Sequence, residues 1–174
     1  MANPEMSRFK DLILYNLEAG EAVLTDNNDI RVYTDGKEKF RALIEEMKQA
    51  KRYIHMQYYI IRNDELWQEV EKVLIQKARE GVEVRVLFDS MGCRTMKNRD
   101  WERLEKEGIQ VAEFFPALLG QLQLRVNYRN HRKIVVIDGR VGFVGGFNVG
   151  REYLGRDKNC LLYTSPSPRD RSVS

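Results

Sequence analysis

The sequence has few residues of the kinds that cross-link a chain or hold a metal ion. Its 174 residues include two cysteines and two histidines. Cys93 and Cys160 provide no disulfide framework, and no cluster of cysteine and histidine has metal-ligand spacing. We therefore expect neither a metal site nor a cofactor.

Long apolar runs and a strong net charge are also lacking. No stretch approaches the ~18 consecutive apolar residues of a membrane-spanning helix. The formal net charge of +3 is mild, so it neither requires nor excludes nucleic acid or anionic lipid as a partner. Because 43% of the residues are hydrophobic, the chain can bury a core, and we expect one globular domain.

Proline is scarce except near the C-terminal end, where Pro166 and Pro168 are two of the four in the chain. The serine-rich surroundings lack apolar periodicity, which is typical of a disordered tail. From Cys160 the string C-L-L-Y-T-S-P-S-P-R-D also resembles the translation of a transposon-end adapter used for sequencing libraries. We expect the natural coding sequence to stop near Asn159 and residues 160–174 to be adapter read-through, which fold reasoning should exclude.

Most of the chemistry lies in one segment that combines an H-x-K-x4-D pattern with a following Gly-Gly-x-Asn. Its members are His131, Lys133, Asp138, Gly145, Gly146 and Asn148. Attack on a phosphodiester needs an imidazole that attacks phosphorus or transfers a proton, beside ammonium and amide donors. The pattern therefore predicts a phosphoryl-transfer site, or half of one.

The local sequence predicts a hairpin that brings these residues together. Lys133 leads into four apolar, β-branched residues, which predicts a buried strand over residues 133–137. His131 and Lys133 should project together. Asp138-Gly139 is a strong turn signal, with a returning strand at residues 141–144. The hairpin would bring Asn148 back beside His131. Asp138 completes the catalytic motif, although its place at the turn favours a structural role.

The complete motif resembles the signature of the phospholipase D superfamily, and its flanks resemble bacterial cardiolipin synthases. The flanking strings are N-Y-R-N-H-R-K-I-V-V-I-D-G and G-F-V-G-G-F-N-V-G-R-E-Y-L-G. Upstream, I-H-M-Q-Y-Y-I-I-R and A-R-E-G-V-E-V-R-V-L-F-D-S-M-G are also similar to those synthases. The similarity spans roughly Asp11 to Asn159. The common serine of the wider superfamily corresponds to Gly146, so one hydroxyl donor is absent.

The resemblance implies a phosphatidyltransferase that joins two phosphatidylglycerols into cardiolipin and releases glycerol without a metal. In that family two motifs meet at one site: one histidine forms a phosphohistidine and the other protonates the leaving alcohol. By position, His131 is the attacking or acid-base imidazole, and Lys133 and Asn148 are phosphate ligands.

The same resemblance implies the partners and the location. The partners are phosphatidylglycerol and other anionic phospholipids, a membrane surface, and a second motif-bearing lobe in the same full-length chain or a dimer partner. The full-length bacterial protein is expected at the cell membrane, on the cytoplasmic face. Nucleic acid is not an expected partner, since nothing resembles an aromatic platform for stacking bases.

The chain carries one complete motif, because its other histidine, His55, lies in a different predicted strand. A hydrogen-bonded structural histidine is the favoured interpretation of His55. Position 57, often glutamate in the resembling enzymes, is Gln57, which cannot carry a charge. We expect an N-terminal catalytic half: residues 1–20 a helix or linker after missing membrane segments, and residues 21–159 the phospholipase D-like domain. Alone, this fragment should be silent or very weak.

Helices alternate with strands along the chain, which predicts an α/β fold. The resemblance narrows this to a phospholipase D-like α/β/α sandwich with a mixed sheet, one of the two lobes of a complete enzyme. Helices are predicted at residues 6–17, 37–50, 65–80 and 98–107. Strands are predicted at residues 30–33, 53–61, 82–88, 109–115, 133–137 and 141–144. The first helix is either a packing helix, which is favoured, or a membrane-surface helix.

Two alternative functions remain open. One is a one-motif phosphodiesterase or nuclease that is active as a homodimer, and the other is a catalytically silent lipid-binding fragment. Residues 114–124 are apolar and form either a packed loop or a membrane-facing surface. Three basic side chains either attract lipid headgroups or form a solvated face: Arg125, Arg129 and Arg132. Residues 89–92 follow a strand and form either a plain turn or a ligand-binding loop.

Overall fold

The computed structural model describes residues 4–25, 27–114 and 129–155. The chain divides into two units, Met1–Val32 and Tyr33–Ser174. In the first unit, a 3-10 helix over Pro4–Phe9 continues into helix α1, Lys10–Gly20. The helix prediction is confirmed, with a later end. None of the α1 residues is buried, and the choice between a packing helix and a membrane-surface helix stays a prediction.

The second unit contains three helices and five strands within its described residues. The helices are α2 (Gly36–Lys48), α3 (Glu65–Arg79) and α4 (Asn98–Lys106). The strands are β1 (Tyr53–Tyr58), β2 (Glu83–Asp89), β3 (Gln110–Phe114), β4 (Ile134–Ile137) and β5 (Val141–Val144), and a 3-10 turn covers Arg151–Tyr153. Each of these three helices and five strands corresponds to a predicted element, whereas the 3-10 turn was not predicted. The strand predicted at residues 30–33 is not formed there, and Ile30 and Val32 are exposed.

Local signals explain where two of the helices begin and end. Asp35 precedes α2 and accepts a hydrogen bond from the Glu38 N–H, and Asp64 does the same for the Trp67 N–H before α3. These carboxylates satisfy N–H groups that the first helical turn leaves unpaired. Gly81 follows α3 with a positive φ of 86°, a conformation that stops the helix at low cost.

The five strands form one mixed sheet in the order β3-β2-β1-β4-β5. β1 pairs in parallel with β2, and β2 with β3. β4 runs antiparallel to both β1 and β5. The predicted α/β fold with a mixed sheet is confirmed. The topology places the hairpin of β4 and β5 beside β1, so the end of β1 adjoins the start of β4.

The core lies on one face of this sheet. Residues alternate along β1, where Ile54, Met56 and Tyr58 are buried and the residues between them are partly exposed. α2, α3 and α4 all contribute side chains to this one core, which includes a stack of Phe88 on Trp101 at 3.9 Å. The predicted α/β/α sandwich requires a second helical layer on the opposite face of the sheet. These three helices do not form that layer.

A buried ammonium group lies in this core beside the end of β1. Lys39 of α2 is 8% exposed, and its Nζ donates to the Tyr58 hydroxyl at 2.7 Å. The same Nζ lies 3.7 Å from the centre of the Phe40 ring. Burial lowers the pKa of Lys39 to about 7 and raises the pKa of Tyr58. Loss of hydration disfavours the charged lysine, so Lys39 makes core stability depend on pH.

We expect the double variant Lys39→Met/Tyr58→Phe to be more stable than the wild type at pH 6, by about 1–4 kcal/mol. Burial puts the folded-state pKa of Lys39 below its unfolded value of 10.5. Below pH 7 both states are protonated, and the wild type carries the full cost of a buried charge. From about pH 7 to 10.5 the unfolded chain binds the extra proton, so wild-type stability rises with pH.

Urea unfolding at pH 6, 8 and 9.5 measures this difference, which should shrink as the pH rises. Lys37→Met, at an exposed position of the same helix, is the matched control and should show no such trend. A stability difference that stays constant with pH would contradict the buried-charge explanation.

Candidate active site

His131 lies just before β4, where the end of β1 passes it. β1 and β4 are antiparallel, with Gln57 paired to Ile134, so the residues beyond this pair continue past each other. The His131 imidazole stacks on the Tyr59 ring, with centroids 3.8 Å apart and planes 23° from parallel. His131 is exposed. The imidazole thus has one supported face and remains accessible to a substrate.

Lys133 shares this aromatic support. Its Nζ donates to the backbone carbonyl of His131 and lies 5.4 Å from the centre of the Tyr59 ring. Partial burial lowers the pKa of Lys133. The Lys133 ammonium and the His131 imidazole therefore lie over the same tyrosine. This arrangement is consistent with the prediction that the two side chains project to the same side of the strand.

Asn148 is held against the residues that follow Tyr59. Its Oδ1 accepts a hydrogen bond from the Ile60 N–H at 3.1 Å, and its Nδ2 donates to the Tyr153 hydroxyl at 2.7 Å. Asn148 is 5% exposed. The hairpin has therefore returned the chain to the end of β1. There the His131 imidazole stacks on Tyr59, and the Asn148 carboxamide binds Ile60. Nδ2 has two hydrogens, and the bond to Tyr153 uses one of them.

Asp138 lies at the opposite end of the hairpin. Its carboxylate accepts hydrogen bonds of 2.8–2.9 Å from the backbone N–H groups of Lys51, Arg52 and Tyr53, at the start of β1. These bonds, that from Tyr53 foremost, lower the pKa of Asp138. Asp138 lies five positions after Lys133 on the extended chain, about 17 Å away at ~3.4 Å per residue. This geometry favours an anchoring role for Asp138 over the catalytic role that its place in the motif predicts.

Asp138 and the following glycine also form the predicted turn. Their φ angles are 56° and 68°, and Arg140 N–H donates to the Ile137 carbonyl at 3.0 Å. Positive φ at both central residues is what a type I′ hairpin turn requires. The Asp-Gly signal thus predicted the turn correctly.

His55 is bound away from Tyr59, four residues earlier on β1. Its Nε2 lies 2.7 Å from Glu83 Oε1, and its ring stacks on Tyr53 at 4.5 Å. The hydrogen bond to His55 lowers the pKa of Glu83. The favoured interpretation, a hydrogen-bonded histidine, is confirmed. Gln57 has a buried Nε2 without a hydrogen-bond partner among the described residues.

Tyr59 is the site residue that the sequence did not reveal. Its place in a predicted strand did not indicate a role in the site, because an aromatic residue in a strand is most often a packing residue. The signal was in the pairing: antiparallel register between β1 and β4 brings residues 59 and 131 past each other. Finding it required knowing which strands are neighbours.

The basic residues predicted beside the motif differ in their surroundings. Arg129 is 15% exposed, with its Nη1 3.7 Å from Asp89 Oδ1, so it is not part of a solvated face. Arg132 is exposed. Arg125, the apolar segment after Phe114, and residues 160–174 lie outside the described residues.

The described ranges, 4–25, 27–114 and 129–155, contain no group of three or more His, Cys, Asp or Glu side chains placed to hold a metal ion. None of their helices has the length and apolar character needed to cross a membrane.

Comparison with known proteins gives consistent matches. Residues 43–168 match a family model described as the phospholipase D-like domain of cardiolipin synthase. The cardiolipin synthase of Oceanobacillus iheyensis is 48% identical over 155 residues, which cover 89% of this chain and 32% of that protein. The major cardiolipin synthase ClsA of Bacillus subtilis is 51% identical over 146 residues, covering 84% and 30%. The chain spans about a third of the length of these relatives.

A solved structure resembles the chain in fold. NucT from Helicobacter pylori aligns with a TM-score of 0.54 at 15% identity, covering 70% of this chain and 74% of that chain. At this identity the similarity concerns the fold alone.

Proposed function

The chain belongs to the cardiolipin synthase family with a phospholipase D-like domain, and we propose that it supplies one histidine-bearing half of a phosphatidyltransferase site. The observation that carries this proposal is the placement of His131 and Lys133 over Tyr59, with Asn148 bound to the next residue. These contacts support a site in which the imidazole, the ammonium and the carboxamide bind one phosphate.

The reaction proposed is the conversion of two phosphatidylglycerols into cardiolipin and glycerol. One motif imidazole attacks the phosphorus, and the bond from phosphorus to the glycerol headgroup breaks as a second imidazole protonates the leaving alcohol. A hydroxyl of the second phosphatidylglycerol then gives its proton to that imidazole and displaces the histidine. His131 is one of these two imidazoles. Lys133 and Asn148 are assigned to the phosphate oxygens, where they stabilise the charge that develops.

The partners proposed follow from the same site. They are phosphatidylglycerol and other anionic phospholipids at a membrane surface, and a second motif-bearing lobe from the same full-length chain or a dimer partner. The exposed His131 and Arg132 support contact with an anionic headgroup. A cell-membrane location on the cytoplasmic face belongs to this proposal.

A chimera tests the function. The segment of the Bacillus subtilis synthase that matches residues 11–159 is replaced by those residues of this chain, and cardiolipin is measured from phosphatidylglycerol vesicles. We expect the chimera to form cardiolipin and the chain alone to be slower by at least about 10²-fold, because one proton donor is missing. A folded chimera that forms none would contradict the proposal.

The homodimer alternative is tested on the chain alone. Its hydrolysis of bis(p-nitrophenyl) phosphate and of single-stranded DNA is measured at several protein concentrations. Specific activity that rises steeply with concentration would favour a paired one-motif phosphodiesterase. Absence of turnover in every assay, with the chimera also inactive, would favour the silent lipid-binding fragment.

A further inference from the structure

We propose that Asp89 is a positioning residue for His131, holding the segment that carries the imidazole from the end of the neighbouring strand. The inference rests on the proposed function, since it concerns the same histidine. Asp89 is the last residue of β2, and its side chain is 0% exposed. Burying a carboxylate is costly unless N–H donors or cations surround it, so its partners identify what it holds in place.

Two of those partners directly precede His131 in the chain. The Asn130 N–H donates to Asp89 Oδ2 at 3.3 Å, and Arg129 Nη1 lies 3.7 Å from Oδ1. Arg129 is itself mostly buried, so solvent screens this pair little. Because Asn130 is joined covalently to His131, fixing its backbone restricts where the imidazole can lie.

The loop Asp89–Cys93 also contacts Tyr59, the residue on which the His131 imidazole stacks. A Cβ added to Gly92 would lie 1.9 Å from the Tyr59 carbonyl oxygen, so the loop backbone passes close to the backbone of Tyr59 at this position. Asp89 Oδ1 fixes this loop by accepting from the Met91 N–H at 2.9 Å. One carboxylate therefore holds both the loop against Tyr59 and the segment that precedes His131.

The simpler interpretation is that Asp89 only forms a turn. Such a role needs the local bond to the Met91 N–H, which a short polar side chain at a turn commonly makes. It does not account for the contacts with Arg129 and Asn130, which are forty and forty-one residues away in the sequence. These two contacts point to His131.

NMR spectroscopy of the full chain tests this without requiring catalysis. Stacking on Tyr59 should shift the ring protons of His131 upfield relative to Tyr59→Leu, and His55→Gln assigns the two histidine signals. We expect Asp89→Asn to lose more than half of that shift. Asp100→Asn is the matched control: Asp100 is also buried and accepts a backbone N–H, from Lys97, so its replacement should leave the shift intact.

Arg129→Gln provides a second test if Asp89→Asn does not fold, and it should also reduce the shift. A folded Asp89→Asn or Arg129→Gln variant that keeps the full shift would overturn the proposal. So would a wild type with no shift relative to Tyr59→Leu, because the stack would then be absent. Failure of the cardiolipin assay alone, with the shift present and lost on substitution, counts against the proposed function and not against the positioning role.

Discussion

His131→Ala is expected to reduce cardiolipin formation by the chimera by about 10⁴-fold or more. General acid–base catalysis alone contributes about 10²–10⁴-fold, and removal of a covalent nucleophile costs still more. The imidazole stacks on Tyr59 and is exposed, so its loss removes a reactive group without opening a cavity in the core. Fold stability should therefore change little while turnover disappears.

The other histidine supplies the matched control for this prediction. His55→Ala removes an imidazole that is bound to Glu83 and stacked on Tyr53, and cardiolipin formation should be largely unchanged. A denaturing alkaline quench, which preserves the phosphorus–nitrogen bond, during turnover with phosphatidylglycerol labelled at phosphorus should trap the phosphatidyl group on His131 if His131 is the nucleophile. Turnover retained by His131→Ala would remove His131 from the mechanism. Turnover lost in His131→Ala, with the wild-type adduct found on the histidine of the other lobe, would assign His131 the acid-base role.

Much of the fold was predictable because the relevant signals are local. The hairpin of β4 and β5 follows from a β-branched run and an Asp-Gly turn, and Gly81 marks the end of α3. The strand predicted at residues 30–33 failed for a non-local reason. Alternating Ile30 and Val32 satisfy a strand pattern, but a strand forms only where a neighbour supplies hydrogen bonds.

The residues of the candidate site also differ in whether local or non-local signals position them. Spacing alone placed Asn148 back at the motif's end of the hairpin, because a hairpin is local. The support of His131 by Tyr59 and Asp89 was hidden, because it depends on β1 lying between β2 and β4. Asp138 shows the converse: its place in the motif suggested chemistry, whereas its three backbone partners lie at the start of β1. The spacing of a motif identifies candidate residues, and the geometry of the fold is needed to separate a chemical role from an anchoring role.

Asp138→Ala is expected to lower the free energy of unfolding of the chain by about 2–3 kcal/mol. Three backbone N–H groups lose a charged acceptor, and we take a low value per bond because the carboxylate is partly exposed. Alanine also tolerates the φ of 56° less well than aspartate does. Asp138→Asn keeps an acceptor oxygen and the turn preference, so it should cost less. Urea unfolding measures both variants.

The pH dependence of stability and the rate of turnover distinguish an anchoring role of Asp138 from a catalytic one. Hydrogen bonds lower the folded-state pKa of Asp138, so its stabilisation is present above the unfolded pKa of about 3.9 and is lost as the pH falls through the lower folded value. The wild type and Asp138→Ala should therefore converge in stability in acid. In the chimera, assayed below the unfolding temperature of both proteins, Asp138→Ala should keep its turnover. A folded variant without turnover would return Asp138 to the catalytic group, because an anchor at the far end of β4 can act on His131 only through the fold.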